Sequence, residues 1–170
     1  MRVAVIGYSG SGKSTLAKYL GEKFQIPVLH LDRVHWLPGW QERSRAESAE
    51  IVKQFLDEHK SWVIDGTYSA LEYERRLKEA DTIVLMDFRR LSCFFRAWKR
   101  YVQNRGRTRD SMGEGCVERM NREFIWWLLH RKKSQKERYR KVLEQYGYKT
   151  VVIRSQRELD KWMKEFVGNC

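Results

Sequence analysis

The stretch Val3-Ala4-Val5-Ile6-Gly7-Tyr8-Ser9-Gly10-Ser11-Gly12-Lys13-Ser14 decides the fold of this chain. From Gly7 onward it fits the pattern G-x-x-x-x-G-K-[ST] of a phosphate-binding P-loop at every required position. The pattern is specific only where it leaves a buried strand and opens a helix. Residues 2–6 predict the strand, and apolar residues at i, i+4 and i+8 within residues 15–24 predict the helix. The chain therefore begins with the strand, loop and helix of a P-loop protein.

Each part of this motif has a chemical task. The glycines let the backbone turn sharply and bring its N–H groups to phosphate oxygens, and the helix N-terminus adds partial positive charge. Lys13 is expected to reach the β- and γ-phosphates, and the Ser14 hydroxyl to ligate Mg²⁺. The cofactors are thus expected to be ATP and Mg²⁺, and the predicted nucleotide-binding residues are Gly7, Ser9, Gly10, Ser11, Gly12, Lys13, Ser14 and Thr15.

The composition is that of a single globular domain. A chain of 170 residues with 42% hydrophobic residues can bury one sizeable core, so we expect one domain over residues 1–170. No apolar stretch approaches the roughly 18 residues of a membrane span, and no signal-peptide pattern precedes the first strand. We therefore expect a cytoplasmic protein with no membrane partner. The three cysteines lack C-x-x-C spacing, which favours free thiols without an assigned role.

The net charge of +12 is concentrated in one part of the chain. Residues 89–141 contain 17 lysines and arginines and 5 acidic residues, and the basic and acidic residues in the rest of the chain are equal in number. Such a region attracts polyanions, either as arginines around the phosphates of a nucleotide or as a surface for nucleic acid. For the basic run 131–136 a solvated helix face is the simpler interpretation.

Strands and helices alternate along the chain. Apolar runs predict strands at 2–6, 27–31, 62–64, 82–86 and 151–153, and the run at 82–86 is apolar without alternation, as in a strand covered on both faces. Capping boxes at Ser44 and Ser155 each predict the start of a helix, and another helix is predicted over 69–79. The second half is predicted to be mostly helical, and one of its helices is expected to end at Gly147, a C′ glycine. A loop is predicted over 32–43. The pattern predicts a three-layer α/β fold with a five-stranded parallel sheet and helices on both faces.

Carboxylates follow several of these strands, at the sheet edge where ligands bind in such folds. Asp65 is predicted to be the Mg²⁺-side acid and a catalytic residue. Asp32 is predicted to face the acceptor and to orient it or accept its proton. Asp87 is a weaker candidate. For each of them the structural alternative is a cap on the next turn or helix.

Arginines supply the other predicted catalytic groups. Arg105, Arg107 and Arg109 flank a glycine in a polar loop, where a mobile lid would bring guanidinium groups over the transferring phosphoryl group. The alternative is a basic surface turn. Arg75 and Arg76 either meet an acceptor phosphate or lie on a helix surface.

Several motifs together resemble the small bacterial P-loop proteins called DNA topology modulation protein, FlaR type, which are similar to adenylate kinase. The resemblance covers nearly the whole chain and rests on the P-loop, Leu31-Asp32, Trp62-Val63-Ile64-Asp65-Gly66-Thr67-Tyr68, Arg75-Arg76-Leu77, Arg105-Gly106-Arg107-Thr108-Arg109 and Glu114-Gly115-Cys116. It implies the nucleoside-monophosphate-kinase fold, ATP binding and kinase chemistry. It also implies a lid at about 105–116, an acceptor-covering segment at about 32–60, and adenine contacts near 154–156.

The sequence departs from two related acceptor sites. Adenylate kinases continue the third strand as Asp-Gly-Phe-Pro-Arg, whereas Thr67-Tyr68 follows Asp65-Gly66 here, and a shikimate-kinase-like second aspartate is replaced by Val34. Two hypotheses follow. The first is a phosphotransferase that moves the γ-phosphoryl group of Mg-ATP to a nucleotide or another small hydroxylated acceptor. The second is an ATP-binding protein that acts on DNA through its basic second half.

Overall fold

The computed structural model describes residues 1–130 and 133–168, so Cys170 and the start of the basic run 131–136 lie outside the described residues. In chain order the elements are β1 (Arg2–Gly7), α1 (Lys13–Phe24), β2 (Val28–His30), α2 (Leu31–His35), β3 (Trp36–Leu37), β4 (Gln41–Glu42), α3 (Arg45–Glu58), β5 (Trp62–Asp65), α4 (Tyr73–Glu79), β6 (Thr82–Met86), α5 (Arg90–Gln103), α6 (Arg122–Leu129), α7 (Lys133–Tyr146), β7 (Thr150–Ile153) and α8 (Gln156–Gly168). Short 3₁₀ turns occupy residues 38–40 and 147–149.

The main sheet has five parallel strands in the order β2-β5-β1-β6-β7. The chain leaves β1 for the β2 edge, returns through β5, and then crosses to β6 on the other side of β1. The strand order therefore reverses at β1, and the carboxyl end of β1 is the position where ligands bind in such sheets. The P-loop begins at this position.

Side chains of the sheet alternate between two apolar cores. Within β1, Ala4 and Ile6 pack on one face with residues of α2, α3, α4 and α7, and Val3 and Val5 pack on the other with residues of α1, α5, α6 and α8. A central parallel strand buried on both faces reads as a continuous apolar run because neither face meets water. The predicted three-layer fold and its five parallel strands are confirmed.

The capping boxes begin helices as predicted. The Ser44 hydroxyl accepts from the Glu47 N–H at 3.2 Å before α3, and the Ser155 hydroxyl accepts from the Glu158 N–H at 3.2 Å before α8. These bonds satisfy N–H groups that have no partner within the helix. The end of α7 differs from the prediction, because Gly147 continues into a 3₁₀ turn and does not adopt a left-handed conformation.

The predicted loop over 32–43 has more structure than expected. It contains the five-residue helix α2 and a small antiparallel hairpin in which β3 pairs with β4 around Pro38-Gly39. Two-residue strands are too short to show a period of two, so the sequence pattern did not reveal them. The helix predicted over 69–79 begins only at Tyr73, because the preceding turn binds an arginine described below.

Helix α5 buries small residues and exposes large ones. Cys93 and Ala97 are fully buried beside the P-loop, whereas Phe95 is 64% and Trp98 is 47% exposed. The inner face must be small because the loop approaches it closely: a Cβ on Gly10 would lie 2.3 Å from the Cys93 carbonyl oxygen. Among the described residues, no helix has the length and apolar character needed to cross a membrane.

Candidate active site

The P-loop has the conformation that its glycines allow. Gly10 and Gly12 adopt left-handed φ values of 77° and 99°, and Gly12 caps the N-terminus of α1. A side chain at Gly7 would lie 2.6 Å from the Met86 carbonyl oxygen. The loop is thus held between β6 and α5, and its backbone lines a large cavity that is described below. All of the predicted nucleotide-binding residues line this cavity except Ser11, which is buried.

Lys13 is folded back over the loop. Its ammonium group donates to the Tyr8 carbonyl oxygen at 2.9 Å. Desolvation lowers the pKa of Lys13 from its ordinary value, and the negative charges of Asp32 and Asp65 oppose that shift. Burial therefore disfavours the charged form of Lys13, and nearby negative charge favours it. A phosphate bound at the loop would act in the same direction as the two carboxylates.

Asp65 joins the end of β5 to the P-loop. Its Oδ2 accepts from the Ser14 hydroxyl at 2.7 Å, and its Oδ1 lies 2.5 Å from His30 Nδ1. The carboxylate is only 5% exposed, so these two partners fix its orientation. Ser14 and Asp65 therefore offer neighbouring oxygens, which is the kind of ligand that Mg²⁺ takes from protein while it keeps several waters. The residues present fit the ion.

No larger metal-binding group occurs in the part of the chain that the structure describes. A cluster of three or more His, Cys, Asp or Glu side chains is absent there. Magnesium in phosphoryl-transfer sites is commonly held by one or two protein oxygens together with substrate phosphates. The Ser14 and Asp65 pair is of this type.

The contact with His30 was not predicted from the sequence. His30 is the last residue of β2, which lies beside β5 in the sheet, and the register pairs His30 directly with Asp65. The second strand was predicted over 27–31 and ends at His30 in the structure. Ending the predicted strand at residue 30 would have placed His30 at the same sheet edge as Asp65. Asp87, the weaker strand-end candidate, is not among the residues that line the cavity.

Asp32 also lines the cavity. It occupies the first turn of α2, and its Oδ1 accepts from the Tyr68 hydroxyl at 2.8 Å. Burial, followed by the charge of Asp32 and the hydrogen bond to it, raises the pKa of Tyr68, while a hydrogen bond with the Trp36 side chain opposes the rise. Tyr68 is therefore a neutral donor that orients the Asp32 carboxylate. It also links Asp32 to the hairpin.

The segment after β5 connects both ends of the site. Thr67 exchanges two hydrogen bonds with Gly7: its hydroxyl donates to the Gly7 carbonyl at 3.0 Å and accepts from the Gly7 N–H at 3.2 Å. The next residue, Tyr68, contacts Asp32. The Arg138 side chain reaches this segment from α7 and donates to the Thr67 carbonyl at 3.2 Å. The start of the P-loop and the Asp32 carboxylate are thus positioned by adjacent residues.

Arg76 holds this segment in place. It is fully buried, and its guanidinium donates to the carbonyl oxygens of Leu71, Tyr68 and Gly66 at 2.8, 2.9 and 3.2 Å. Burial lowers the pKa of Arg76 to about 10. The neighbouring Arg75 instead pairs with Asp57 and Glu79. Neither arginine is among the cavity-lining residues, so the structure places both in supporting positions.

The three lid arginines occupy different positions. Arg109 lines the cavity and is bound to Glu118, whereas Arg105 and Arg107 are exposed and are not among the cavity-lining residues. The lid segment is held by a parallel bridge between residues 105 and 118 and an antiparallel bridge between 108 and 117. This arrangement turns Arg109 toward the site and the other two toward solvent.

Two arginines of α5 were missed as site residues. Arg96 and Arg100 are one helical turn apart and both line the cavity. Arg96 donates to the Ser11 carbonyl at 3.3 Å and to the Gln156 side chain at 2.9 Å. Arg100 donates to Glu118, which also accepts from Arg109, and burial followed by the charge of Arg109 lowers the pKa of Arg100. Their i, i+4 spacing beside the small face of α5 was the available signal.

The two covering segments dock onto each other. A Cβ on Gly113 would lie 2.1 Å from the Trp36 carbonyl oxygen, so the lid backbone passes directly over the hairpin. The Cys116 thiol donates to the Leu37 carbonyl at 3.2 Å, and the Trp40 indole N–H donates to the Val117 carbonyl at 3.0 Å. The lid and the acceptor-covering segment therefore form one continuous cover.

Beneath this cover lies a cavity of about 1150 Å³. The P-loop residues line it and are called the phosphate end, and Asp32, Trp36, Trp40 and Tyr68 also line it and are called the acceptor end. Arg100 and Arg109 line the same cavity, and the charge of Arg100 acts on Lys13. The volume exceeds the roughly 300–1,000 Å³ of typical ligand pockets.

Comparison with known proteins defines the fold. No family model matches the chain, and no curated protein matches it. Similar solved structures include TT1252 from Thermus thermophilus, with 15% identity over 99% of this chain and 97% of that one and a TM-score of 0.56. A shikimate kinase from Bacteroides thetaiotaomicron has 16% identity over 98% and 95% and a TM-score of 0.51. A deoxyadenosine kinase from M. mycoides has 12% identity over 100% of both chains and a TM-score of 0.53. This likeness shows the fold alone, which is that of P-loop kinases.

Proposed function

We propose that this protein is a kinase that transfers the γ-phosphoryl group of Mg-ATP to a small hydroxylated acceptor. The observation that carries the proposal is that one cavity is lined both by a P-loop with its lysine and by an oriented carboxylate, Asp32. Phosphoryl transfer needs both parts in one water-poor space, because the acceptor must lie in line with the leaving phosphate. The structural likeness to two small-molecule kinases supports the same reaction class.

The residues of this chain divide the work of such a reaction. The P-loop backbone and Lys13 bind the phosphates and neutralise their charge, with the helix dipole of α1 behind them. Ser14 and Asp65 would hold Mg²⁺, which supplies further charge neutralisation when it is bound. Arg100 and Arg109, oriented by Glu118, lie where they can stabilise the charge on the transferring group. Asp32 accepts the proton of the acceptor hydroxyl.

The alternative, an ATP-binding protein that acts on DNA, remains a prediction from the sequence resemblance and from the basic segment. The structure turns part of that segment inward: Arg96, Arg100 and Arg109 line the cavity rather than the outer surface. This placement supports the kinase, since inward arginines serve a phosphate in the cavity and not a duplex. Salt-sensitive DNA binding would favour the alternative, because phosphate contacts release counterions.

The test is ADP release from Mg-ATP by the purified protein across a panel of hydroxylated acceptors. We expect stimulation by at least one acceptor, and a loss of roughly 100-fold or more in Lys13→Ala, because a charged group that stabilises the transition state is removed. Lys23→Ala is the matched control, since it removes an exposed lysine from the last turn of the same helix. Equal turnover in Lys13→Ala and the wild type would show the assignment to be wrong.

A further inference from the structure

The acceptor end of the cavity is lined by aromatic rings in contact with one another. The Trp36 ring lies 4.7 Å from the His35 ring and 5.4 Å from the Trp40 ring, and the His35 ring lies 4.7 Å from the Tyr68 ring. Three of these residues, Trp36, Trp40 and Tyr68, line the cavity directly. Such a wall offers flat apolar surface with polar edges, and it favours a ligand that is itself a flat ring.

The backbone of Trp40 is held in an unfavourable conformation. Its φ of 65° lies in the left-handed region, which a bulky residue rarely adopts. The position is maintained by the hydrogen bond from its indole to Val117 and by the Arg119 guanidinium, which lies 4.4 Å from the ring centroid. Strained residues that the surrounding structure holds in place cluster at ligand clamps. Trp40 is therefore held in a fixed position at the cavity wall, where a ligand can contact it.

Asp32 lies at the end of this wall, and it decides what kind of group can attack the phosphate. Tyr68 donates to Asp32 and its ring lies 4.7 Å from the His35 ring, so the carboxylate and the rings form one connected surface. A neutral hydroxyl needs a group that accepts its proton, which a carboxylate provides. An attacking phosphate is already an anion, needs no base and is repelled by the carboxylate.

The arginines around the acceptor end each contact a protein group. Arg43 pairs with Glu47 and with the Val34 carbonyl, and Arg76 is buried beneath the segment after β5, so neither lines the cavity. Arg119 and Arg138 do line it, but Arg119 lies over the Trp40 ring and Arg138 donates to the Thr67 carbonyl. A monophosphate acceptor would be expected to meet a guanidinium fork held toward it by carboxylate partners. None of these four arginines is held toward the cavity in that way.

Resting on the proposed kinase function, we propose that the acceptor is a nucleoside and not a nucleoside monophosphate. Its base packs against the Trp36 ring, with the Trp40 ring at a steep angle beside it, and a sugar hydroxyl lies at Asp32. In the reaction the hydroxyl oxygen forms a bond to the γ-phosphorus while the bond from that phosphorus to the β,γ-bridging oxygen breaks. ADP leaves with the electron pair, and Asp32 takes the hydroxyl proton.

The test compares nucleosides, their 5′-monophosphates and a cyclic polyol as acceptors in the ADP-release assay. We expect turnover with a nucleoside, and we expect Trp36→Leu to raise its KM by about 10-fold or more with little change in kcat, as for the loss of one stacking contact. Trp98→Leu is the matched control, because Trp98 is exposed on α5 and is not among the cavity-lining residues. Asp32→Asn should show the opposite division, with kcat reduced and KM retained.

A binding measurement separates this inference from the kinase proposal. Calorimetric titration of a nucleoside into Lys13→Ala reports the ring site without turnover. The affinity should fall by about 10-fold or more when Trp36→Leu is added to Lys13→Ala, and it should be unchanged when Trp98→Leu is added instead. Preference for monophosphates or for the polyol would overturn the nucleoside assignment and leave the kinase intact. Nucleoside binding without any Lys13-dependent turnover would overturn the kinase and leave the ring site. Absence of nucleoside binding would overturn the ring site.

Discussion

The phosphate end of the cavity is a backbone structure, whereas the acceptor end is made of side chains from separate segments. At the phosphate end, residues 7–14 follow one another in the chain and present main-chain groups on the N-terminus of α1. At the acceptor end, Asp32, Trp36 and Trp40 belong to one segment and Tyr68 follows β5. A site built from main-chain groups does not change when single side chains change, whereas a site built from side chains can be altered residue by residue. Under the proposed function, the first end would bind the nucleotide that all P-loop kinases share, and the second would select the acceptor.

The largest effect is expected from a methyl group added to the phosphate end. Gly10→Ala would force a Cβ to 2.3 Å from the Cys93 carbonyl oxygen, and it has an unfavourable left-handed φ of 77°. We expect loss of detectable ATP binding and a free energy of unfolding lowered by about 3 kcal/mol or more. Calorimetry with ATP and urea unfolding measure the two effects.

Gly106→Ala is the control for this change. Gly106 has the same φ of 77°, but a Cβ there would meet no atom of the described residues within 4 Å. It should therefore show only the conformational cost, about 1 kcal/mol. Equal losses in the two variants would mean that the close packing of the loop against α5 has no role in ATP binding.

The second change removes a charge from the phosphate end without changing its shape. Asp65→Asn keeps a partner for Ser14 and His30 but removes the negative charge of the oxygens proposed to hold Mg²⁺. We expect kcat to fall by roughly 100-fold to 1000-fold, with half-maximal activity at a higher Mg²⁺ concentration. Steady-state kinetics across a Mg²⁺ series measures both, and the exposed Asp81→Asn should match the wild type.

A third change affects the segment that joins the two ends. Arg76→Leu leaves the carbonyl oxygens of Gly66, Tyr68 and Leu71 without their buried donor. We expect the free energy of unfolding to fall by about 3 kcal/mol, since several buried acceptors lose their partner. Urea unfolding measures this loss. Arg75→Leu breaks only surface ion pairs and should cost less than about 1 kcal/mol, so similar losses would contradict the assigned role of Arg76.

The smallest effect is expected at the acceptor end. Tyr68→Phe removes the hydroxyl that orients Asp32 and leaves the ring in place. We expect kcat to fall about fivefold, because one hydrogen bond contributes about 1 kcal/mol. Kinetics with the preferred acceptor measures it. Tyr73→Phe is the control, since the buried Tyr73 hydroxyl has no hydrogen-bond partner among residues 1–130 and 133–168.

The sequence predicted the fold because the fold depends on local patterns, and the candidate residues at the phosphate end follow from the same patterns. The P-loop and five apolar strands are visible as short runs, and Asp65 follows from the position at which β5 ends. The rest of the site depends on contacts between distant segments. His30 meets Asp65 through the strand register, and Tyr68 meets Asp32 across 36 residues. Arg76 could be read either as a ligand for phosphate or as a surface residue, and its burial depends on the turn around it.

The lid shows the same division. A glycine-flanked arginine cluster predicted lid residues from composition, and Arg109 does face the cavity. The orientation of Arg105 and Arg107 depends on which backbone groups pair across the lid, and no pattern of residue types encodes that pairing. Arg96 and Arg100 were not predicted as site residues because they belong to an amphipathic helix. The large apolar side chains of that helix, such as Phe95 and Trp98, indicate a buried face but are exposed in the structure.

Under the proposed function, the contact of the lid with the hairpin would make the affinities of the two substrates interdependent. Gly113 and Cys116 contact Trp36 and Leu37, so a molecule that holds the hairpin in this arrangement would also favour this position of the lid. Thermodynamic linkage is reciprocal, and the nucleotide would then increase the affinity for the acceptor by the same factor. The dissociation constant of each substrate should therefore decrease as the concentration of the other rises.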